Sequence, residues 1–234
     1  MTPYISTTFS NYGSSILDVL ALLEQENIHK VELGSIHRYE ENLTKPLKSF
    51  NFEYASHNFF PAHKNEHFVV NIASNVADIR RQSTNYLKDN ISFAADIGAS
   101  LFTFHPGFLS TPEPSSDSTE NYDFKFPKKQ IDRQEAFKWF LESTEQLLSH
   151  AENKNIKIAI ETQGSKTQSQ QILFSTNEEI ALLMETFGSA YLGLNLNLAH
   201  FYIANQENFE ENFEKIKKHS SRIFAMELSH TDGI

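Results

Sequence analysis

A chain of 234 residues with 39% hydrophobic content is long enough for one large domain or two small ones and apolar enough to fold, which sets it apart from disordered sequences. Thirty acidic residues against 20 basic ones give a formal charge of −10, which disfavours nonspecific binding to nucleic acid or to an anionic membrane. The lack of cysteine removes disulfides, thiolate metal sites and a thiol nucleophile; with no signal-peptide start and no apolar run of membrane-spanning length, a cytoplasmic protein is expected.

Tyr4 to Phe9 reads as a first strand, with a turn at Asn11, Gly13 and Ser14. Ser15 and Asp18 form a capping pattern for a helix whose Ile16, Val19, Leu20 and Leu23 share one face. Lys30 to Leu33 is a second strand, stopped by Gly34. A weak helix through Leu43, Leu47 and Phe50 follows, and Phe52 to His57 is the third strand. Asn75 to Ile97 carries Val76, Ile79, Tyr86, Leu87, Phe93 and Ala94 at helical spacing. Ser100 to Phe104 is the fourth strand, ending in His105, Pro106 and Gly107.

Phe108 to Lys129 is rich in Ser, Pro, Asp and Thr, and too long for an ordinary connection; a lid, a binding loop or a mobile surface insertion is expected there. Ile131 to Asn153 is an amphipathic helix through Phe137, Phe140, Leu141, Leu147 and Leu148. In Asn155 to Ser165, Ile156, Ile158 and Ile160 alternate with Lys157 and Ala159 and stop at Glu161, as in a buried strand running into a loop. Thr176 and Glu179 form a capping box for a helix to Phe187. Tyr191 to Leu196 is the sixth strand and leads to Asn197 and His200. Phe209, Phe213 and Ile216 share a helical face, and Arg222 to Leu228 is the seventh strand, before His230.

Seven strand-then-helix units without an internal linker argue for one parallel α/β domain over residues 1–234. Its natural closure is a (β/α)8 TIM-type barrel, for which about 250 residues is typical. Only seven strands are legible, so an incomplete barrel lacking the final β/α unit is expected. An open doubly wound sheet fits less well, because no Gly-rich phosphate loop follows the first strand.

In parallel α/β folds ligands sit at the C-terminal ends of strands. Glu32, His57, His105, Glu161, Asn197 with His200, and Glu227 with His230 all fall there. A carboxylate in such a place costs free energy unless a cation or proton meets it. Oxygen and imidazole donors together suit a divalent ion (Mn, Mg, Co or Zn), with nothing to choose among them.

The segments STTF, VELG, SHNFFPA, FTFHPG, AIETQG, LGLNLNLAH and AMELSHTDG, in this order, resemble the strand ends of the xylose-isomerase-like TIM-barrel superfamily, which holds sugar isomerases, 3-epimerases and endonuclease IV-type enzymes. The resemblance covers nearly the whole chain, and it is specific for the superfamily rather than for a reaction. It implies that Glu161 is a metal ligand and that His57 and His105 line the pocket, as they do where they bind zinc in the endonuclease branch. It implies an aspartate ligand three positions before His200, where this chain has Asn197. Glu227 stands where a ligating histidine is common, with His230 three residues on.

The resulting expectation is a divalent-metal sugar or sugar-phosphate isomerase or epimerase. Glu161 and Glu227 would be the catalytic carboxylates, Glu161, Asn197 and Glu227 the metal donors, and His57, His105, His200 and His230 the substrate-binding groups. The expected partner is a small sugar or sugar phosphate, with neither membrane nor nucleic acid involved, and a homo-oligomer is left open. Two alternatives stand beside it: a metal-dependent phosphoesterase of the endonuclease IV type, and a degenerate barrel that binds a sugar without turning it over.

Overall fold

The computed structural model describes residues 2–64, 68–114, 124–127, 131–166 and 169–229. Seven strands form one sheet in sequence order: β1 (Ile5–Ser6), β2 (Lys30–Leu33), β3 (Glu53–His57), β4 (Leu101–Phe104), β5 (Lys157–Glu161), β6 (Leu192–Asn197) and β7 (Ile223–Glu227). Every neighbouring pair is parallel. The sheet curls into an incomplete TIM-type barrel, with β1 and β7 as its two edges. The connecting helices are α1 (Ile16–Gln25), α2 (Thr44–Leu47), α3 (Ala77–Asp96), α4 (Arg133–Lys154), α5 (Asn177–Thr186), α6 (Leu198–Ala204) and α7 (Phe209–Lys217).

Alternation along each strand divides the sheet into two chemically different faces. Val31, Leu33, Tyr54, Phe102, Phe104, Ile158, Ile160, Leu192, Leu194 and Leu196 point to the helices and are buried in the core. On the other face the register aligns Ser6, Glu32 and Ala55, then His57, Thr103, Ala159 and Gly193, then Glu161 with Asn195 and Asn197 with Glu227. A closed TIM barrel ordinarily fills this face with branched apolar side chains. Here the residues so aligned are small or polar.

The helix α1 buries Ile16, Val19, Leu20 and Leu23, as their spacing requires. Its N-cap is Ser15, but the Ser15 side chain makes no capping bond. Thr176 does cap α5, accepting from the Glu179 amide. Asp132 caps α4 through the amides of Gln134 and Glu135. Arg222 locks the last strand in place: its guanidinium donates to the carbonyls of Met184, Phe187 and Leu192, tying the end of α5 to the start of β6.

Three sequence expectations need correction. Tyr4 to Phe9 is not one strand: β1 is two residues long and Thr7–Phe9 is a 3-10 turn capped by the Ser6 hydroxyl. Serine and threonine hydroxyls compete for backbone groups and break the ladder early. Asn155 belongs to the end of α4, in the left-handed conformation (φ 54°), rather than to β5. The expected insertion is anchored at its start: Phe108 bridges Ile172, the Leu109 amide donates to Gln171 O, and the Ser110 hydroxyl donates to the Gln171 side chain. Glu113–Pro114 and Phe124–Lys125 form a short antiparallel ribbon, and residues 115–123 and 128–129 of the segment lie outside the described residues.

Candidate active site

Glu161 ends β5 on the inner face and is only 2% exposed. Its Oε1 accepts from Asn197 Nδ2 at 3.0 Å and lies 3.2 Å from His200 Nδ1. Its Oε2 has no hydrogen-bond partner among the described residues. That oxygen faces His57 Nε2 at 3.7 Å and His105 Nε2 at 3.8 Å, and the two Nε2 atoms are 3.1 Å apart. The sheet produces this meeting directly, because β3, β4 and β5 are consecutive neighbours and each ends in one of the three residues or just before it.

Each imidazole is held from behind. His57 Nδ1 lies 2.7 Å from Thr103 Oγ1, its cross-strand partner, and His105 Nδ1 meets the side-chain amide of Gln163. Burial pushes His57 down to about 4, with the nearby His105 and His200 acting in the same direction against Glu161. Burial also lowers His105. Both rings are therefore neutral near pH 7, the state in which an imidazole nitrogen has a lone pair for a cation.

His200 behaves oppositely. Burial alone would lower its pKa, but the Glu161 carboxylate, Glu227 and the Thr162 carbonyl outweigh burial and raise it. Glu161 is likewise held below the usual carboxylate range: burial would raise it, and the His105, His200 and His57 imidazoles more than offset that. Asn197 joins the pair. It is the N-cap of α6, its Oδ1 accepting from the His200 amide while its Nδ2 donates to Glu161. Gly164 presses on the same segment, since a Cβ there would stand 1.8 Å from the His200 carbonyl oxygen.

Glu227 ends β7, opposite Asn197 in register, and takes a 3.4 Å hydrogen bond from Asn195 Nδ2. Burial, then the charges of Glu161 and Glu32, push it up to about 7, against the smaller opposing effects of His200 and Asn195. Glu32 is also raised, by burial and by Glu161, with the Ser6 hydroxyl opposing.

The fold thus gathers Glu161, His57, His105, Asn197 and His200 into one contact set, with Glu227 on the same inner face; His230 lies outside the described residues. Sequence reasoning placed Glu32 at a strand end but gave it no role, and it missed Thr103 and Gln163 altogether. The alternation of KVEL turns Glu32 inward, whereas the two supporting residues emerge only once strand register is known.

Among the described residues, His57, His105 and Glu161 are the one group of three His, Cys, Asp or Glu side chains with donor atoms all within 4.8 Å of one another. A buried carboxylate oxygen without a hydrogen-bond donor, facing two neutral imidazoles that are themselves held by hydrogen bonds, fits a borderline divalent cation such as zinc. No helix among the described residues is long and apolar enough to cross a membrane.

Solved structures share this architecture. A D-tagatose 3-epimerase-like protein matches with a TM-score of 0.72 and 19% identity, over 100% of this chain and 78% of that one. A D-psicose 3-epimerase solved in the presence of D-fructose matches with a TM-score of 0.71 and 11% identity, over 97% and 72%. The IolI protein with a bound zinc atom matches with a TM-score of 0.67 and 16% identity, over 97% and 72%. No curated protein matches the sequence. At these identities the likeness shows the fold. The family model for the xylose isomerase-like TIM barrel matches residues 20–233, and the chain belongs to that family.

Proposed function

We propose that the protein is a divalent-metal-dependent isomerase or epimerase of a sugar or sugar phosphate. The observation that carries this reading is the unpartnered Oε2 of buried Glu161, facing two neutral histidines on the same inner face as a carboxyl pushed up to about 7. In this reading His57, His105 and Glu161 hold the metal. When bound, a divalent cation supplies Lewis acidity toward a carbonyl oxygen.

The other roles fall to the chain's own side chains. Glu227, with a pKa near neutrality, suits the transfer of the proton next to a carbonyl: as the carboxylate it accepts the proton from carbon, and as the acid it returns one. Asn197 is assigned to holding Glu161 and capping α6, because its amide is engaged at both ends. His200 keeps Glu161 ionised and oriented. The sugar neighbours support the substrate class, and the zinc-bound neighbour supports metal use.

The test is hydrogen exchange into a panel of ketoses in deuterated water with zinc, manganese or cobalt. Deuterium should enter at the carbon beside the carbonyl with the native protein and not with Glu227→Gln. Absence of exchange with every ketose would defeat the proposal. The histidine-rich donor set favours one second reading, a metal-dependent phosphoesterase of the endonuclease type. The charge of −10 weighs against a nucleic-acid substrate, and zinc-dependent cleavage of an abasic duplex is the measurement that separates the two.

A further inference from the structure

Glu32 has no place in the chemistry above, yet its position is built. It lies on the inner face of β2, half-buried, and Ser6 Oγ on β1 donates to its Oε1 at 3.0 Å. Its Oε2 has no partner among the described residues, and no lysine or arginine pairs with the carboxylate. Across the interior, Glu227 uses Oε2 alone, on Asn195, among the described residues. Asn195 is 2% exposed, and its Oδ1 has no partner among the described residues either. Among the described residues, the inner face therefore presents three hydrogen-bond acceptors, from β2, β6 and β7, without matching donors.

An acceptor held out of bulk water without a donor, as Asn195 Oδ1 is, costs free energy that a ligand's donor recovers, and the half-buried carboxylate oxygens of Glu32 and Glu227 are open to the same donors. A cation shared with the histidines does not answer this need, because the donor group tight enough for an ion comprises His57, His105 and Glu161. A phosphate does not answer it either, since it would bring more acceptors and a negative charge toward Glu32, Glu161 and Glu227. Neutral hydroxyl groups fit: each brings a donor, and a carboxylate accepts strongly from them.

We infer that Glu32, seated by Ser6 on the inner face of β2, is a ligand-binding residue that grips the hydroxyls of a neutral polyol end of the substrate. This rests on the sugar reading of the site and adds a residue that holds the substrate's hydroxyls.

The experiment is calorimetric titration of native protein, Glu32→Gln, Ser6→Ala and Glu161→Gln with unphosphorylated ketopentoses and ketohexoses, D-fructose and D-tagatose among them. Zinc stoichiometry and thermal midpoint are measured alongside. Native protein should bind at least one ketose. Glu32→Gln should raise its Kd about tenfold, the scale of one hydrogen bond to a charged group, with zinc stoichiometry unchanged. Ser6→Ala, which frees the carboxylate while leaving its charge, should raise Kd by a smaller factor and stands in should Glu32→Gln fail to fold. An unchanged Kd in both variants, with binding lost in Glu161→Gln, overturns the Glu32 assignment and leaves the sugar reading intact. Loss of zinc from Glu32→Gln also overturns it, by moving Glu32 into the metal set. Failure of every ketose to bind native protein overturns both.

Discussion

The two faces of the sheet are made from alternate residues of the same strands, yet they do opposite work. On the helix side Phe102, Phe104, Ile158, Ile160, Leu192, Leu194 and Leu196 are fully buried among other apolar groups. On the inner side, small residues such as Ala159 and Gly193 give way toward the C-terminal rim to His57, Glu161, Asn195, Asn197 and Glu227. The buried polar atoms left without partners include Glu161 Oε2 and Asn195 Oδ1 on that side. Packing stabilises the first face, where Ser56 Oγ beside Phe102 is also without a partner among the described residues. The second gathers its unsatisfied groups around ionisable side chains, at a cost in stability that functional sites commonly carry.

Substitutions on each face should separate these roles. The largest effect on stability belongs to Phe102→Ala, which deletes a fully buried ring and should cost about 3–5 kcal/mol, read as a fall in thermal midpoint. Its folded fraction should still bind zinc with native stoichiometry, and loss of zinc there would show that the faces are not separable. Glu161→Gln should do the reverse. Zinc affinity should fall by more than the roughly 10–100-fold that removal of a supporting partner costs, while metal-free stability changes less than in Phe102→Ala. Retention of zinc at native affinity would remove Glu161 from the ligand set. Thr103→Val tests the next layer: it keeps the shape behind His57 but deletes the hydroxyl 2.7 Å from Nδ1, and should weaken zinc about tenfold.

How much of this was legible depends on whether a feature is local. The bounds of β2 match the sequence reading residue for residue, because KVEL is a complete apolar alternation closed by Gly34. Glu161 was found for the same reason: an apolar run ends on a carboxylate. The contact of Thr103 with His57 was not legible, since it depends on which residue of β4 lies beside β3. Nor was Gly164, which reads as a turn glycine in ETQG; its constraint is the His200 backbone, which belongs to a later unit of the fold. Through the resemblance, Asn197 reads as a metal donor in the place of an aspartate. Its seat at the N-cap of α6 shows another use for an amide, one that accepts from a backbone N–H while donating to a carboxylate.

The smallest expected effect sharpens the contrast from a histidine that is fully satisfied. His37 is 5% exposed; its Nδ1 lies 3.2 Å from Ser14 O and its Nε2 2.8 Å from Thr7 Oγ1, which itself accepts from the Gly34 amide. A carbonyl can only accept, so Nδ1 carries the proton, and Nε2 is left to accept from the Thr7 hydroxyl. This network suits the neutral ring, and burial lowers the pKa of His37 below its ordinary value, outweighing Ser14 and Glu40. As the pH falls through the ordinary histidine value of about 6.5, the unfolded chain takes up a proton at this position before the folded one does. The contribution of His37 is therefore present above that pH and is lost on acidification. Native protein should exceed His37→Asn in stability by about 1 kcal/mol at pH 7.5 in urea titrations, and the gap should narrow by pH 5.5. Taking the difference between the two proteins cancels the other histidines, including His57 and His200, whose shifts run in opposite directions. A gap that stays constant or widens on acidification would mean that the folded protein accepts the His37 proton as readily as the unfolded chain, and that the Thr7 hydroxyl does not hold the ring in its neutral form.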